Sequence, residues 1–222
     1  MLSRRKRTRL RSLVDAVQWV SNSMHEGAIM PLLPREPMTF PEDLFLNGAP
    51  ELQQACGWLV LHTKPRTEKS LARKCLQSST PFFLPQYERR WRSQGRMRTA
   101  HLPLFPGYLF LFGDEQSRLK ALKTNLVVNC LTVADQSQLN SDLMRLYRLI
   151  TSGAPLTPEE RLAPGMWVEI TNGPLAGLSG QIIRRGGSSR FVVQVQFIQR
   201  GVSAELEGWT IQPIEAPPGN PA

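Results

Sequence analysis

The sequence predicts an α+β fold in which an antiparallel sheet flanked by helices is followed by a small five-stranded β barrel. Three observations point there. From residue 56 to about 150, strand-like apolar runs alternate with amphipathic helical stretches in the order β-α-β-β-β-α-β-α. Nearer the C-terminus, five strand-like runs recur about every eight to twelve residues with turn signals between them. Between the two, Thr151 to Pro164 is polar and carries Pro155, Pro158 and Pro164, as an interdomain linker does. The expected layout is a disordered extension over 1–55, a first domain over 56–151, a linker over 152–163, the barrel over 164–215 and a tail over 216–222.

The extension opens with Arg4, Arg5, Lys6, Arg7, Arg9 and Arg11 and no acid. Leu10, Leu13, Val14 and Val17 fall at helical spacing, which suits a short basic amphipathic helix. Asp15 and Gln18 interrupt any signal-like apolar core and no A-x-A site follows, so secretion is not expected. Pro31, Pro34, Pro37, Pro41 and Pro50 favour extended chain. Three readings stay open here: a solvated tail, a contact with nucleic acid or a membrane surface, and a true start at Met30 or Met38.

The first domain begins with Trp58-Leu59-Val60-Leu61-His62, a strand buried on both faces. Thr63 and Pro65 then mark a helix start, since proline fits a first turn where no N–H is needed. That helix reaches about Gln77, burying Leu71, Cys75 and Leu76 and showing Arg66, Lys69, Arg73 and Lys74 to solvent. Phe82-Phe83-Leu84 opens a strand towards Trp91, and Arg92-Ser93-Gln94-Gly95-Arg96 is a hairpin tip. The return strand covers Arg98–Leu102. After Phe105-Pro106-Gly107, Tyr108, Phe110 and Phe112 share one face of a strand at period two. A helix near Ser117–Lys123, a strand near Val127–Leu131 and a helix near Ser141–Ile150 complete the domain; Leu139, Leu143, Leu146 and Ile150 form the last helix's apolar stripe.

The barrel strands are expected at Met166–Thr171, Gly180–Arg184, Phe191–Phe197, Val202–Glu207 and Trp209–Pro213. Turns fall at Asn172-Gly173-Pro174, Gly186-Gly187 and Gln199-Arg200-Gly201. The β-branched run through Val192, Val193 and Val195 argues for strand rather than helix here.

Charge narrows the function. The chain carries 27 Lys and Arg against 18 Asp and Glu, a formal net charge of +9, which suits a polyanionic partner. Residues 62–98 hold ten basic and two acidic side chains, whereas from 155 onwards five basic face six acidic ones. A nucleic-acid footprint therefore belongs to the first half. Arg89, Arg90, Arg92, Arg96 and Arg98 crowd one hairpin around Trp91, where arginine can pair with phosphate and the ring can stack on an unpaired base.

Catalysis has little support. His25, His62 and His101 are scattered, no GxxxxGK[ST] loop is present, and Glu159-Glu160 reads as a solvated pair. Cys56, Cys75 and Cys130 make neither a disulfide framework nor a zinc module. We expect a non-enzymatic cytoplasmic monomer with no cofactor, no metal and no membrane-spanning segment.

Three motifs in order, Gly57-Trp58-Leu59-Val60-Leu61-His62-Thr63, Leu104-Phe105-Pro106-Gly107-Tyr108-Leu109-Phe110 and Asn172-Gly173-Pro174-Leu175-Ala176-Gly177-Leu178-Ser179-Gly180, resemble the NusG family of transcription elongation factors. The last of these is similar to the KOW motif, and Leu102-Pro103-Leu104-Phe105 before the Pro-Gly-Tyr looks like the specialised RfaH-type paralogues. The resemblance implies a first domain that docks through an apolar patch on the clamp helices of RNA polymerase and modulates pausing, termination or antitermination. By position, His62, Tyr108 and Phe110 would lie on that patch, with Pro106 and Gly107 shaping the strand start and Trp58 in the core. It implies a barrel that recruits Rho or a ribosomal small-subunit protein, with Leu175, Leu178, Phe197, Ile198 and Arg200 as its partner surface. The non-template DNA strand is the expected ligand of the basic hairpin. Leu119-Lys120-Ala121 departs from the polar His-Thr-Thr element of RfaH-type paralogues. A KOW-containing ribosomal or RNA-binding protein is the alternative, since sheet aromatics can also stack bases of structured RNA.

Overall fold

Among the described residues the strand pattern resolves into three antiparallel sheets. The computed structural model describes residues 36–46, 50, 56–159, 165–185, 188–205 and 209–216. The helix expected around Leu10–Val17 and the Gly186-Gly187 turn lie outside the described residues. In chain order the first part holds β1 (Thr39–Phe40), β2 (Gly57–Thr63), α1 (Glu68–Gln77), β3 (Phe82–Phe83), β4 (Gln86–Ser93), β5 (Arg96–Pro103), β6 (Tyr108–Gly113), α2 (Glu115–Lys123), β7 (Val127–Leu131) and α3 (Gln136–Thr151). The second holds β8 (Leu156–Glu159), β9 (Met166–Ile170), β10 (Ser179–Arg185), β11 (Ser188–Val195), β12 (Arg200–Glu205) and β13 (Ile211–Pro213).

Alternation along two strands layers the first domain. Leu59 and Leu61 of β2, with Leu109 and Leu111 of β6, face α1 and α2 and pack with Leu71, Cys75 and Ala121. Trp58 and Val60, with Phe110, point the other way, onto Leu139, Leu143, Leu146 and Leu149 of α3. The sheet order is β1-β3-β6-β2-β7, so the two central strands are those with the strictest period-two pattern. Asp114 caps α2 and Asp135 caps α3, each carboxylate accepting from a backbone N–H three residues on at 2.9 Å. Those bonds from Ser117 hold the Asp114 carboxyl below its usual range.

Several expectations shift. α1 starts at Glu68, not at Pro65, because Arg66 sits at φ +61° and interrupts any helical turn before it. Leu76 is exposed rather than buried, since the buried stripe is Glu68, Leu71, Ala72 and Cys75. Likewise Leu149, not Ile150, completes the buried face of α3.

The domain also begins earlier than residue 56. Thr39 and Phe40 pair with Phe83 and Phe82. Phe45, 2% exposed, stacks on Trp58 and Tyr147 at centroid distances of 5.9 and 4.9 Å and meets Phe83 edge-on at 5.1 Å. Residues 36–46 thus belong to the fold, contrary to a boundary at 55. The reason is burial: one aromatic ring fills the gap between the sheet and α3.

Among the described residues the C-terminal β unit has six strands in the order β13-β9-β10-β11-β12-β8, where five were expected. The sixth comes from the expected linker: Leu156 to Glu159 pair along β12. Glu159 is buried and accepts from Ser203 Oγ at 2.6 Å, while Arg190 donates to Thr157 Oγ1 at 2.8 Å. Val168, Ile170, Leu175, Leu178, Phe191 and Val193 are core residues of this unit. Trp167 points to the other face of β9, where the Arg145 guanidinium of α3 lies 6.0 Å from its ring centroid. Among the described residues no helix is long and apolar enough to cross a membrane.

Candidate functional site

The expected docking patch is built by neighbouring β2 and β6. Their register sets His62 opposite Tyr108, with ring centroids 5.4 Å apart. Gly107, at φ +85°, makes the turn that delivers Tyr108. Its carbonyl accepts from Thr63 N at 2.8 Å and its N–H donates to the buried Glu68 carboxylate at 2.7 Å. A carboxylate in the first turn of α1 therefore clamps the turn beside Tyr108. His62 is exposed and Tyr108 half-buried. Phe110 is different: it is fully buried against Phe83 and Phe105 and offers no surface, so it belongs to the core rather than to a docking patch. Trp58 is core as well, its Nε1–H donating to Asn140 Oδ1 at 2.7 Å.

The C-terminal β unit lies against this patch. The Arg200 guanidinium sits over the Tyr108 ring, 5.4 Å from its centroid. A second contact runs through α3. Asp142, with no exposed surface, pairs with Arg145, accepts from Gln138 Nε2 at 2.8 Å and accepts from Gln196 N at 2.9 Å. Arg145 also donates to Ser179 Oγ at 3.3 Å, and Arg148 donates to Ala176 O at 2.8 Å. Burial pushes the Asp142 carboxyl above its usual range, against the opposing pull of Arg145 and the Gln196 N–H.

Of the expected partner surface, Phe197 is exposed, and Ile198 and Arg200 are half-buried. Leu175 and Leu178 are not on it. They are 3% and 0% exposed and pack inside the β unit, because the turn they flank folds its apolar side chains inward.

Among the described residues the basic hairpin β4–β5 is a two-stranded sheet with no third strand. Its turn places Gln94 at φ +50° and Gly95 at φ +75°, the doubly left-handed geometry that matches strand twist. Arg89, Arg90, Trp91, Arg92, Arg96 and Arg98 are all exposed.

One feature escaped sequence reasoning. A cavity of about 530 Å³ opens between the C-terminal ends of α1 and α2, lined by Lys74, Lys120 and Lys123 over Cys75, Leu111 and Ala121. The helix-end carbonyls there already have donors: Ser78 Oγ to Lys74 O at 3.0 Å and Thr124 Oγ1 to Ala121 O at 2.6 Å. The three lysines stand about 50 residues apart in two clusters, so no local motif announced them. The cysteines are free, and burial pushes the Cys75 thiol up to about 12, which leaves it inert. Among the described residues no group of His, Cys, Asp and Glu is placed to hold a metal ion.

Comparison with known proteins bears on this first domain. The family model described as transcription termination factor nusG matches residues 57–145, from β2 into α3, a stretch that holds His62, Tyr108 and the whole hairpin. No curated protein matches the chain. One similar solved structure is described as domain interaction in Thermotoga maritima NusG. It shares 15% identity and covers 72% of this chain and 98% of that one, with a TM-score of 0.41. Another, the crystal structure of the MjSpt4:Spt5 complex in conformation B, shares 15% identity and covers 72% and 99%, with a TM-score of 0.25.

Proposed function

We propose, from the NusG-family domain at residues 57–145, that this chain is a non-enzymatic transcription elongation factor that binds RNA polymerase and modulates pausing, termination or antitermination in the cytoplasm. The observation that carries the reading is the position of His62 and Tyr108. Both lie inside the matched stretch, on adjacent strands, with the His62 side chain exposed and the Tyr108 ring half-buried under Arg200. We take these two, without Phe110, as the patch for the polymerase clamp helices.

The C-terminal β unit, with its KOW-like turn at Asn172–Gly180, is read as the arm for a second partner, Rho or a ribosomal small-subunit protein, through Phe197, Ile198 and Arg200. Arg200 sits on Tyr108, so docking and the arm's contact with the first domain compete for one ring. The β4–β5 hairpin is read as the contact for the exposed non-template DNA strand. Co-purification of the full-length chain tests the reading. Recovery with RNA polymerase, reduced in Tyr108→Ala, supports it; recovery with ribosomal subunits instead favours an RNA-binding role and overturns it.

A further inference from the structure

The hairpin's five arginines are not equivalent. Directly opposed residues of an antiparallel pair point to the same side, and neighbours along a strand to opposite sides. Trp91 faces Arg98 across the ladder, Ser93 faces Arg96, and Arg89 faces Ala100. Arg89, Trp91, Arg96 and Arg98 therefore share one face. Arg90 and Arg92, opposite Thr99 and Met97, share the other.

The two faces differ in chemistry. Beside Trp91 stand three guanidinium groups and no acid. On the other face Arg90 is ion-paired with Glu88, which leaves Arg92 next to Met97. Nearer the base of the hairpin, the Trp91 face continues through Tyr87, which packs onto the domain core, so it runs from the tip onto the body. Both faces are open to solvent at the tip, with Trp91 40% and Met97 67% exposed.

Resting on the reading of the hairpin as a nucleic-acid contact, we propose that only the Trp91 face binds. It takes an unpaired DNA strand with one base stacked on the indole and phosphates held by Arg89, Arg96 and Arg98. Arg98 lies directly across from the ring, roughly 5 Å away between Cβ atoms, and Arg89 about 7 Å along the strand. A ring flanked at these distances by cations matches a ligand that alternates flat bases with anionic links. The opposite face offers no indole: its one ring is the imidazole of His101 near the base, opposite Glu88. Arg92 is its one arginine without an ion pair among the described residues, so that face contributes only diffuse attraction.

Charge-matched variants of the full-length chain test this. Arg96→Ala/Arg98→Ala and Arg90→Ala/Arg92→Ala each remove two positive charges, and each is titrated with a fluorescent oligothymidylate of twelve nucleotides across a salt series. The first pair is expected to flatten the slope of log affinity against log salt by about 1.4, at about 0.7 per phosphate contact on a single strand. The second is expected to flatten it by less than half of that. Trp91→Ala is expected to weaken binding about 5- to 150-fold with the slope unchanged, and Met97→Ala to do neither. Trp91→Phe keeps an aromatic face and is expected to retain most of the affinity, which separates stacking from damage to the hairpin. Equal losses from the two arginine pairs overturn the one-face assignment while leaving the hairpin a DNA contact. If neither pair nor Trp91→Ala changes binding, the reading of the hairpin itself falls.

Discussion

Arg200 of β12 lies over the ring of Tyr108 of β6, its guanidinium carbon 5.4 Å from the ring centroid. The ring proposed to dock on the polymerase is thus covered by a residue of the same chain, and the strength of that contact sets how often the ring is free.

Replacing Arg200 by Ala removes a cation–π contact of about 0.5 to 2 kcal/mol. If the covered form dominates, apparent affinity for RNA polymerase should rise between about twofold and thirtyfold. Tyr108→Ala should lower it by about 1 to 2 kcal/mol while the domain stays folded. Equilibrium binding of both variants to core polymerase checks this. An Arg200→Ala variant no tighter than its parent would detach the docking surface from Tyr108.

Asp142 should act as the main tie between α3 and the β unit. Asp142→Ala leaves the Gln196 N–H and Arg145 without their acceptor and should loosen the contact by about 2 to 3 kcal/mol. Faster limited proteolysis at Ser152–Pro155 would report it; an unchanged cleavage rate would count against it.

The same carboxyl gives a pH signature. Burial raises its folded pKa, so the folded chain binds that proton more readily than the unfolded one. The Asp142 contribution to stability therefore improves as pH falls through the raised value towards the ordinary carboxylate range, and declines as pH rises through it. Thermal melts of parent and Asp142→Asn from pH 7 down to pH 4 should show the parent gaining on the variant. A parent that loses ground on acidification contradicts the assignment.

Phe45 lies outside the family match yet inside the core. Phe45→Ala should cost about 3 to 5 kcal/mol, as an aromatic truncation in a packed core does. Urea unfolding followed by Trp58 burial is the measurement. A cost near that of a surface substitution, within about 0.5 kcal/mol, would place residues 36–46 outside the cooperative unit.

How much of this was legible depended on length and periodicity. β2 and β6 show alternation over six or seven residues, and the structure keeps both, with the sheet and helices in the expected order. A strand of two residues has no period to read, which is why Thr39–Phe40 and the anchoring Phe45 went unseen. β8 escaped for another reason: Pro158 and its polar neighbours favour a linker, and only the free edge of β12 makes them a strand. Spacing put Tyr108 and Phe110 on one face correctly. It could not tell that Phe83 and Phe105 close over the second and not the first.

The pairing of β8 along β12 also sets a leash length. With β8 in place, only Ser152 to Pro155 separate the end of α3 from the β unit, a span of roughly 14 Å when fully extended. A leash that short keeps the tethered unit at an effective concentration in the millimolar range. Two cation–π pairs, a few hydrogen bonds and the apolar packing against α3 then stay formed without high intrinsic affinity. A competing partner must overcome that local concentration, and any event that peeled β8 from β12 would dilute the tethered unit without altering a single atom of the Tyr108 surface.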